Sequence, residues 1–223
     1  MSTLLSIFNS SIGKKLLMAL TGLFLCTYLV VHLAGNLLLL KQDGGKAFDQ
    51  YSELLPSLLI IQVIEYGLFA VFILHIISGT VLWLQNRAAR PQKYAVNKPQ
   101  ENSSFFSRTM FLSGSILFIF LVVHMRTFWY TSRFQASGNF SMYDVATTAF
   151  ADPIYSAFYV VAIVLLGFHL RHGFQSAFQT FGIKHQKYTP LIEGIGVVFW
   201  LLIPLGFAAM PIYFFYNSCH WFH

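Results

Sequence analysis

Five long apolar segments dominate the sequence and restrict the folds that it can adopt. They cover about residues 16–40, 57–84, 109–130, 154–181 and 190–216. A helix of about 20 apolar residues crosses the hydrocarbon core of a bilayer, and each segment reaches that length. We therefore expect an all-α membrane protein in which residues 1–223 form one bundle of five transmembrane helices.

The composition supports a membrane protein and argues against a nucleic-acid partner. Hydrophobic residues make up 56% of the chain and charged residues only 10%, whereas soluble domains carry about 25% charged residues. The net charge of +6 comes from basic residues that lie mostly between the spans, where the positive-inside rule accounts for them. Cys26 and Cys219 form no disulfide framework. The first apolar segment is too long for a signal peptide and lacks a cleavage site.

The distribution of basic residues predicts the orientation. With five spans, the two termini lie on opposite sides of the membrane. Nine of the fourteen Lys and Arg residues then fall on the side of the N-terminus: Lys14, Lys15, Arg87, Arg90, Lys93, Lys98, Arg108, Lys184 and Lys187. The N-terminus is therefore expected in the cytoplasm and the C-terminus outside. Residues 1–13 are expected to form a short interfacial helix before the first span.

A histidine lies within each of the first four spans: His32, His75, His124 and His169. An imidazole in hydrocarbon is costly unless it is paired or ligated. Spans 1 and 3 run outward, which places His32 and His124 at a similar depth in the outer half of the membrane. Spans 2 and 4 run inward, which places His75 and His169 in the inner half. At 1.5 Å per residue, the two layers are expected roughly 5–12 Å apart.

Two imidazoles from two helices are the usual axial ligands of a haem iron in a helical bundle. Two layers predict two haems, of b type because the chain lacks a Cys-x-x-Cys-His attachment motif. Each histidine could instead be a helix–helix hydrogen-bond partner. A zinc site would want four ligands at one level. His172, one turn from His169, could lie near the inner haem or pack between helices, and His185, His220 and His223 are expected in solvent.

Several residues near the histidines have two interpretations each. Arg126 and Arg171 each lie two residues from a proposed ligand, so they could contact haem propionates or extend to the membrane interface. Four glycines could admit a flat macrocycle or serve ordinary helix packing: Gly35, Gly79, Gly167 and Gly173. No internal repeat is expected.

The chain resembles a known family. The four single histidines, the five spans, and the stretches TGLFLCTYLVVHLAGNLLLL and GFHLRHGFQSAFQTFG are similar to the di-haem cytochrome b anchor of succinate:quinone oxidoreductase. The resemblance covers essentially the whole chain and implies the pairs His32–His124 (outer haem) and His75–His169 (inner haem). It also implies a bacterial cytoplasmic membrane.

The resemblance implies partners as well. A flavoprotein with FAD and an iron–sulfur subunit would dock on the cytoplasmic face, where succinate is oxidised away from this chain. Electrons would pass from the iron–sulfur subunit through the inner and outer haems to a quinone, with menaquinone expected. The chain would not act on succinate alone, but it would carry the quinone site.

Two carboxylates are candidates for quinone protonation. Glu53 precedes span 2, at a position similar to the carboxylate that family members use at the outer quinone site. Glu65 lies inside span 2, where a carboxylate is a functional candidate or a hydrogen-bond partner of a neighbouring helix. Some fumarate reductases carry a glutamate two residues before the fourth ligand, but Gly167 occupies that position here. A proton path of that type is therefore not expected.

Three alternatives stay open at this point. The complex could work in the fumarate reductase direction. The chain could be a di-haem cytochrome b of another dehydrogenase or of a hydrogenase. A more distant alternative is a transporter that uses histidines as proton relays, which predicts no haem absorbance.

Overall fold

The computed structural model describes residues 10–89, 105–136, 138, 140–183 and 185–220. Five helical segments in this part of the chain are long and apolar enough to span a membrane: Ser11–Leu40, Leu59–Ala88, Met110–Phe134, Pro153–Thr180 and Thr189–Cys219. We call them spans 1 to 5. The predicted all-helical, five-span architecture is confirmed. Much of the basic 85–108 loop and residues 1–9 of the expected interfacial helix lie outside the described residues, and residues 11–13 belong to span 1.

The spans are not uniform α-helices. Span 1 consists of an α-helix, Ser11–Asn36, and a 3₁₀ turn, Leu37–Leu40. Span 2 is one α-helix, Leu59–Ala88, and span 4 is another, Pro153–Thr180. Spans 3 and 5 each contain a π-helical segment. The span 3 segments are Met110–His124, Met125–Tyr130 (π) and Thr131–Phe134, and the span 5 segments are Thr189–Val197, Val198–Leu202 (π) and Ile203–His220.

Local sequence signals account for several helix starts. The Ser10 hydroxyl accepts a hydrogen bond from the Gly13 amide at 3.0 Å and caps span 1. The Asp152 carboxylate accepts from the Tyr155 amide at 2.7 Å and caps span 4. Pro153 follows it at the first helical position, where proline has no hydrogen bond to lose.

Two short helices replace loops that the sequence pattern had indicated. Residues Lys46–Ser57 form the first connecting helix, between spans 1 and 2. Residues Met142–Ala151 form the second connecting helix, between spans 3 and 4. The Asp49 carboxylate on the first helix accepts a hydrogen bond from the Tyr143 amide on the second, at 2.8 Å. Both segments lie on the side where span 1 ends, so together they cover that end of the bundle.

The connecting helices help to form the largest cluster of buried apolar side chains. We call it the outer cluster, after the orientation expected from the sequence, and it contains Leu39, Phe48, Met142, Ala146, Phe150, Tyr159, Met210 and Phe214. A second cluster lies in the other half of the bundle and joins spans 1 and 4 through Cys26, Leu170 and Phe174. Many other large apolar side chains of the spans are exposed, as expected of a surface that faces lipid.

The order of neighbouring helices positions the four histidines. Span 1 packs against span 2, span 2 against span 3, span 3 against span 4, and span 4 against span 1; span 5 packs on the outside of spans 1 and 4. Spans 1 and 3 are thus diagonal partners in a four-helix core, and so are spans 2 and 4. Side chains that meet along a diagonal must do so across the centre of the bundle.

Candidate functional site

The structure brings the four span histidines together as two pairs. The ring centres of His32 and His124 lie 5.8 Å apart, and those of His75 and His169 lie 6.3 Å apart. Each pair joins two diagonal helices. These are the two pairs that the sequence predicted, and their role as metal ligands stays a prediction.

The spacing within each pair suits an iron between the two rings. An iron bound between one nitrogen of each ring would separate the ring centres by about 6 Å, because each metal–nitrogen bond is about 2 Å long and each ring centre lies about 1 Å beyond its nitrogen. All four histidines are only partly buried, although they lie well inside their spans. Open space therefore adjoins the rings. Within the described part of the chain, no group of three or more His, Cys, Asp or Glu side chains could hold a metal ion.

In each pair, polar neighbours contact the Nδ1 atoms and no described contact involves Nε2. For the inner pair, Thr21 Oγ1 lies 3.1 Å from Nδ1 of His75, and Ser113 Oγ lies 3.5 Å from Nδ1 of His169. Metal-bound histidines commonly use one nitrogen for the metal and hydrogen-bond through the other. The contacts of the inner pair match that arrangement.

The outer pair has a different set of neighbours. Tyr159 lies with its hydroxyl 3.1 Å from Nδ1 of His124, and Tyr155 donates a hydrogen bond to that hydroxyl at 3.0 Å. Tyr28 and Asn36 lie 3.4 and 3.3 Å from Nδ1 of His32. An aromatic ring one turn earlier also stacks on each outer histidine: Tyr28 on His32, and Phe120 on His124.

These contacts also give the distance between the two layers. Thr21, at the inner pair, and His32, in the outer pair, are 11 residues apart on span 1. On span 4, Tyr159 contacts His124 of the outer pair and lies 10 residues before His169 of the inner pair. At 1.5 Å per residue the layers are about 15 Å apart. Counting from the predicted span ends underestimated this separation, because the ends of neighbouring spans do not lie at one depth. Ser113, at the level of His169, is 3 residues from the end of span 3 at Met110, whereas His169 is 11 residues from the end of span 4 at Thr180.

Spans 1 and 3 contain a repeat, so the expectation that the chain has none was wrong. Residues 18–32 and 110–124 are MALTGLFLCTYLVVH and MFLSGSILFIFLVVH. They align without gaps and are identical at eight of fifteen positions. Each copy places a hydroxyl residue and a glycine 11 and 10 residues before the outer histidine. This repeat is the sequence signal that could have identified Thr21 and Ser113.

The repeat has the same contacts in both halves of the core. A Cβ built on Gly22 would lie 3.3 Å from Cε1 of His75, and one built on Gly114 would lie 3.5 Å from Cε1 of His169. The methionine that begins each copy packs on the glycine four residues after the inner histidine, Met18 on Gly79 and Met110 on Gly173. Each half therefore places its inner histidine in the same way.

The glycines proposed from the sequence pack against other side chains or backbone. Gly79 and Gly173 face the two methionines just described. Gly35 is buried against the ring of Tyr51 on the first connecting helix. Gly167 faces the Trp200 carbonyl of span 5, which a Cβ would approach to 2.8 Å. The described contacts of these four thus match the helix-packing interpretation.

The proposed haem-surrounding residues lie eight or nine residues from the ends of their spans. The Arg126 guanidinium is exposed and lies 4.5 Å from the ring centre of Tyr130. The Arg171 guanidinium lies 4.9 Å from the ring centre of Trp200. His172 is partly buried one turn from His169. Their contact with a propionate stays a prediction.

The two candidate carboxylates lie in different environments. Glu53 is exposed on the first connecting helix. Glu65 accepts hydrogen bonds from the Trp129 indole N–H and from the Arg133 guanidinium, both at the outer end of span 3. Its side chain is 20% exposed and that of Arg133 is 26% exposed. Glu65 thus makes the contact with a neighbouring helix that was the alternative to a quinone role.

Comparison of the chain with protein-family models, curated proteins and solved structures found no match. The case for any family therefore depends on the residues themselves and on the geometry described above.

Proposed function

We propose that the chain is a di-haem cytochrome b that carries electrons across a membrane. The observation that supports this proposal best is the stack of two histidine pairs, each with the ring spacing of an axial ligand pair. Five candidate spans surround or flank the pairs. Two bound haems would supply one-electron redox centres, one in each half of the membrane.

The chain's own residues would bind, orient and enclose these groups. His32 and His124 would hold the outer haem, and His75 and His169 would hold the inner haem through Nε2. The hydroxyl groups at Nδ1 would restrain the rotation of the imidazoles. Apolar side chains of the four core spans would exclude water, and the connecting helices would close the outer end.

The resemblance extends this proposal to a particular complex. The chain would be the membrane anchor of a succinate dehydrogenase, with a flavoprotein and an iron–sulfur subunit docked on its cytoplasmic face. Electrons would reach a quinone, with menaquinone preferred, at the outer side of a bacterial cytoplasmic membrane. Glu53 is the better placed of the two carboxylates for proton exchange with water, since it is exposed near the outer end of span 2. Five candidate membrane spans, which suit an anchor subunit, support this part of the proposal.

The decisive experiment measures haem in the purified protein. We expect a dithionite-reduced minus oxidised spectrum of b type and two haems per chain. His124→Ala and His169→Ala should each retain about one haem, because each removes one axial ligand. His185→Ala is the matched control, since His185 is exposed in the loop between spans 4 and 5, and it should retain both. A wild-type protein without haem would overturn the proposal and favour a histidine-containing transporter.

A second measurement tests the partner. Purification of the complex through a tag on this chain should recover a subunit with covalently bound flavin and a subunit with iron–sulfur clusters. Succinate should then reduce the b haems. Recovery of hydrogenase subunits, with haems that hydrogen reduces and succinate does not, would keep the cytochrome and replace the partner.

A further inference from the structure

The hydroxyl groups of Thr21 and Ser113 donate their protons to backbone carbonyls of their own helices. Thr21 Oγ1 donates to the Leu17 carbonyl at 2.8 Å, with the Met18 carbonyl at 3.1 Å. Ser113 Oγ donates to the Met110 carbonyl at 3.0 Å. The shortest carbonyl contact of each hydroxyl is shorter than its contact with the histidine, which is 3.1 Å for Thr21 and 3.5 Å for Ser113. A carbonyl oxygen can only accept a hydrogen bond. Each hydroxyl therefore has only lone pairs left for the imidazole.

An acceptor at Nδ1 determines the tautomer of a neutral histidine. Nδ1 of His75, 3.1 Å from Thr21 Oγ1, must carry the proton and donate it. Nδ1 of His169, 3.5 Å from Ser113 Oγ, does the same over a longer distance. In both rings Nε2 is then unprotonated, and its lone pair faces away from the hydroxyl. Thr21 is 6% exposed and Ser113 is 4% exposed, so water does not compete for these sites.

We propose that Thr21 and Ser113 are positioning residues that prepare His75 and His169 to bind the inner haem and lower its reduction potential. The proposal depends on the proposed function. A hydrogen bond from Nδ1–H to an acceptor makes the imidazole a stronger donor to a metal. Stronger donation stabilises ferric iron relative to ferrous iron, which lowers the potential of that haem.

The outer pair lacks this arrangement. Near His32, the Asn36 amide donates to the His32 carbonyl at 2.7 Å, and no described bond directs the proton of the Tyr28 hydroxyl, 3.4 Å from Nδ1, to a backbone carbonyl. The Tyr159 hydroxyl near His124 accepts from Tyr155, and no described bond directs its own proton to a backbone carbonyl. Back-bonded aliphatic hydroxyls thus distinguish the inner pair, and the effect should be confined to one haem.

The repeat supports the assignment independently. The hydroxyl residue recurs at the same position of both copies, as Thr21 and as Ser113, and each contacts the inner histidine of the following span. Each is followed by the glycine that faces the same ring. The two halves share this arrangement although fewer than two thirds of the aligned residues are identical.

The test is a potentiometric titration of the haems in the purified complex, with haem content measured in parallel. Thr21→Val keeps the side-chain shape and removes the acceptor. We expect it to retain two haems and to raise the midpoint potential of one. That component should be the one that His169→Ala removes. Thr21→Ser should restore the wild-type potential, and Ser113→Ala should cause a smaller rise because its contact is longer.

Thr27→Val is the matched control. Thr27 lies on the same span and donates to its own helix, to the Phe24 carbonyl at 2.7 Å, but it is exposed to the lipid side. It should leave both potentials unchanged. Loss of the inner haem in Thr21→Val with normal binding in Thr21→Ser would also support the proposal.

Two results would overturn it: two haems with wild-type potentials in Thr21→Val, or an equal shift of both components. Either result would leave the proposed function intact, since both require bound haem. Absence of haem from the wild-type protein would instead remove the proposed function itself.

Discussion

Gly22 and Gly114 have no side chain where a neighbouring imidazole approaches. The built Cβ of Gly22 lies 3.3 Å from His75, closer than an ordinary van der Waals contact, and that of Gly114 lies 3.5 Å from His169. A branched side chain at Gly22 would therefore push the ring of His75 aside. The displaced ring would leave the position in which it faces the other histidine of its pair.

Gly22→Val should therefore displace His75 and abolish binding of the inner haem. We expect about one haem per chain instead of two, measured by the reduced-minus-oxidised spectrum. Gly67→Val is the control, because no atom lies within 4 Å of a Cβ built on Gly67 in span 2. Retention of two haems with unchanged potentials in Gly22→Val would show that the ring has room to move.

The four histidines could be predicted from sequence, whereas most of their neighbours could not. An imidazole in an apolar span is easy to recognise, because placing an unpaired polar ring in hydrocarbon costs free energy. The direction of the spans was then enough to pair His32 with His124. Thr21, Ser113 and Tyr159 do not stand out, because hydroxyl residues are common in membrane helices. Only the comparison of residues 18–32 with 110–124 separates Thr21 and Ser113 from the others.

At the scale of helices, spans were predictable and the connecting helices were not. Long apolar segments directly indicate membrane-spanning helices. Residues Lys46–Ser57 and Met142–Ala151 are short and mixed in polarity, so the expectation was a loop in both places. Their helical structure depends on tertiary contacts, including the hydrogen bond between Asp49 and Tyr143 and the outer cluster of apolar side chains.

The approach of spans 4 and 5 depends on one proline and one glycine. Pro204 has no N–H to bond the Trp200 carbonyl four residues earlier, and span 5 is π-helical over Val198–Leu202. That carbonyl faces Gly167, where a Cβ would lie 2.8 Å from the oxygen. A side chain at Gly167 would therefore meet rigid backbone, which excludes a glutamate there without rearrangement.

Gly167→Ala should destabilise the protein by about 1–3 kcal/mol through overpacking. The measurement is thermal unfolding in detergent, followed by far-UV circular dichroism. Gly173→Ala on the same span is the control, since its Cβ would contact only the flexible end of Met110, at 3.6 Å. Equal melting temperatures for the two variants would contradict the backbone contact.

Glu65 links span 2 to span 3 at the outer end of the bundle. Glu65→Gln removes the charge that pairs with Arg133, and we expect a loss of about 1–3 kcal/mol because a partly buried charged hydrogen-bond partner is lost. Glu53→Gln, an exposed carboxamide of equal size, should change stability by less than about 0.5 kcal/mol. Thermal unfolding of both variants provides the comparison. A Glu65→Gln protein of normal stability that no longer reduced quinone would assign Glu65 to proton transfer instead.

For the whole molecule, the sequence predicted the number of spans and an orientation. The span count is confirmed, and the orientation stays a prediction that depends on where the basic residues lie. Two cysteines offer a direct test, because Cys219 is exposed at the end of span 5 and Cys26 is buried.

A membrane-impermeant maleimide added to intact cells should label Cys219, since the C-terminus is expected outside. Cys219→Ser should abolish the labelling, which would show that buried Cys26 does not react. Labelling that appears only after the membrane is permeabilised would place the C-terminus in the cytoplasm and reverse the assignment of inner and outer layers.

The diagonal arrangement of the histidines has a consequence for biogenesis. A ribosome completes the pair His32–His124 when span 3 has emerged, but the pair His75–His169 exists only after span 4 has been made. No two consecutive spans contain a complete pair. A nascent chain that has inserted spans 1 and 2 alone therefore contains neither complete pair, and spans 1 and 2 must meet the later spans in the bilayer before either histidine pair can form.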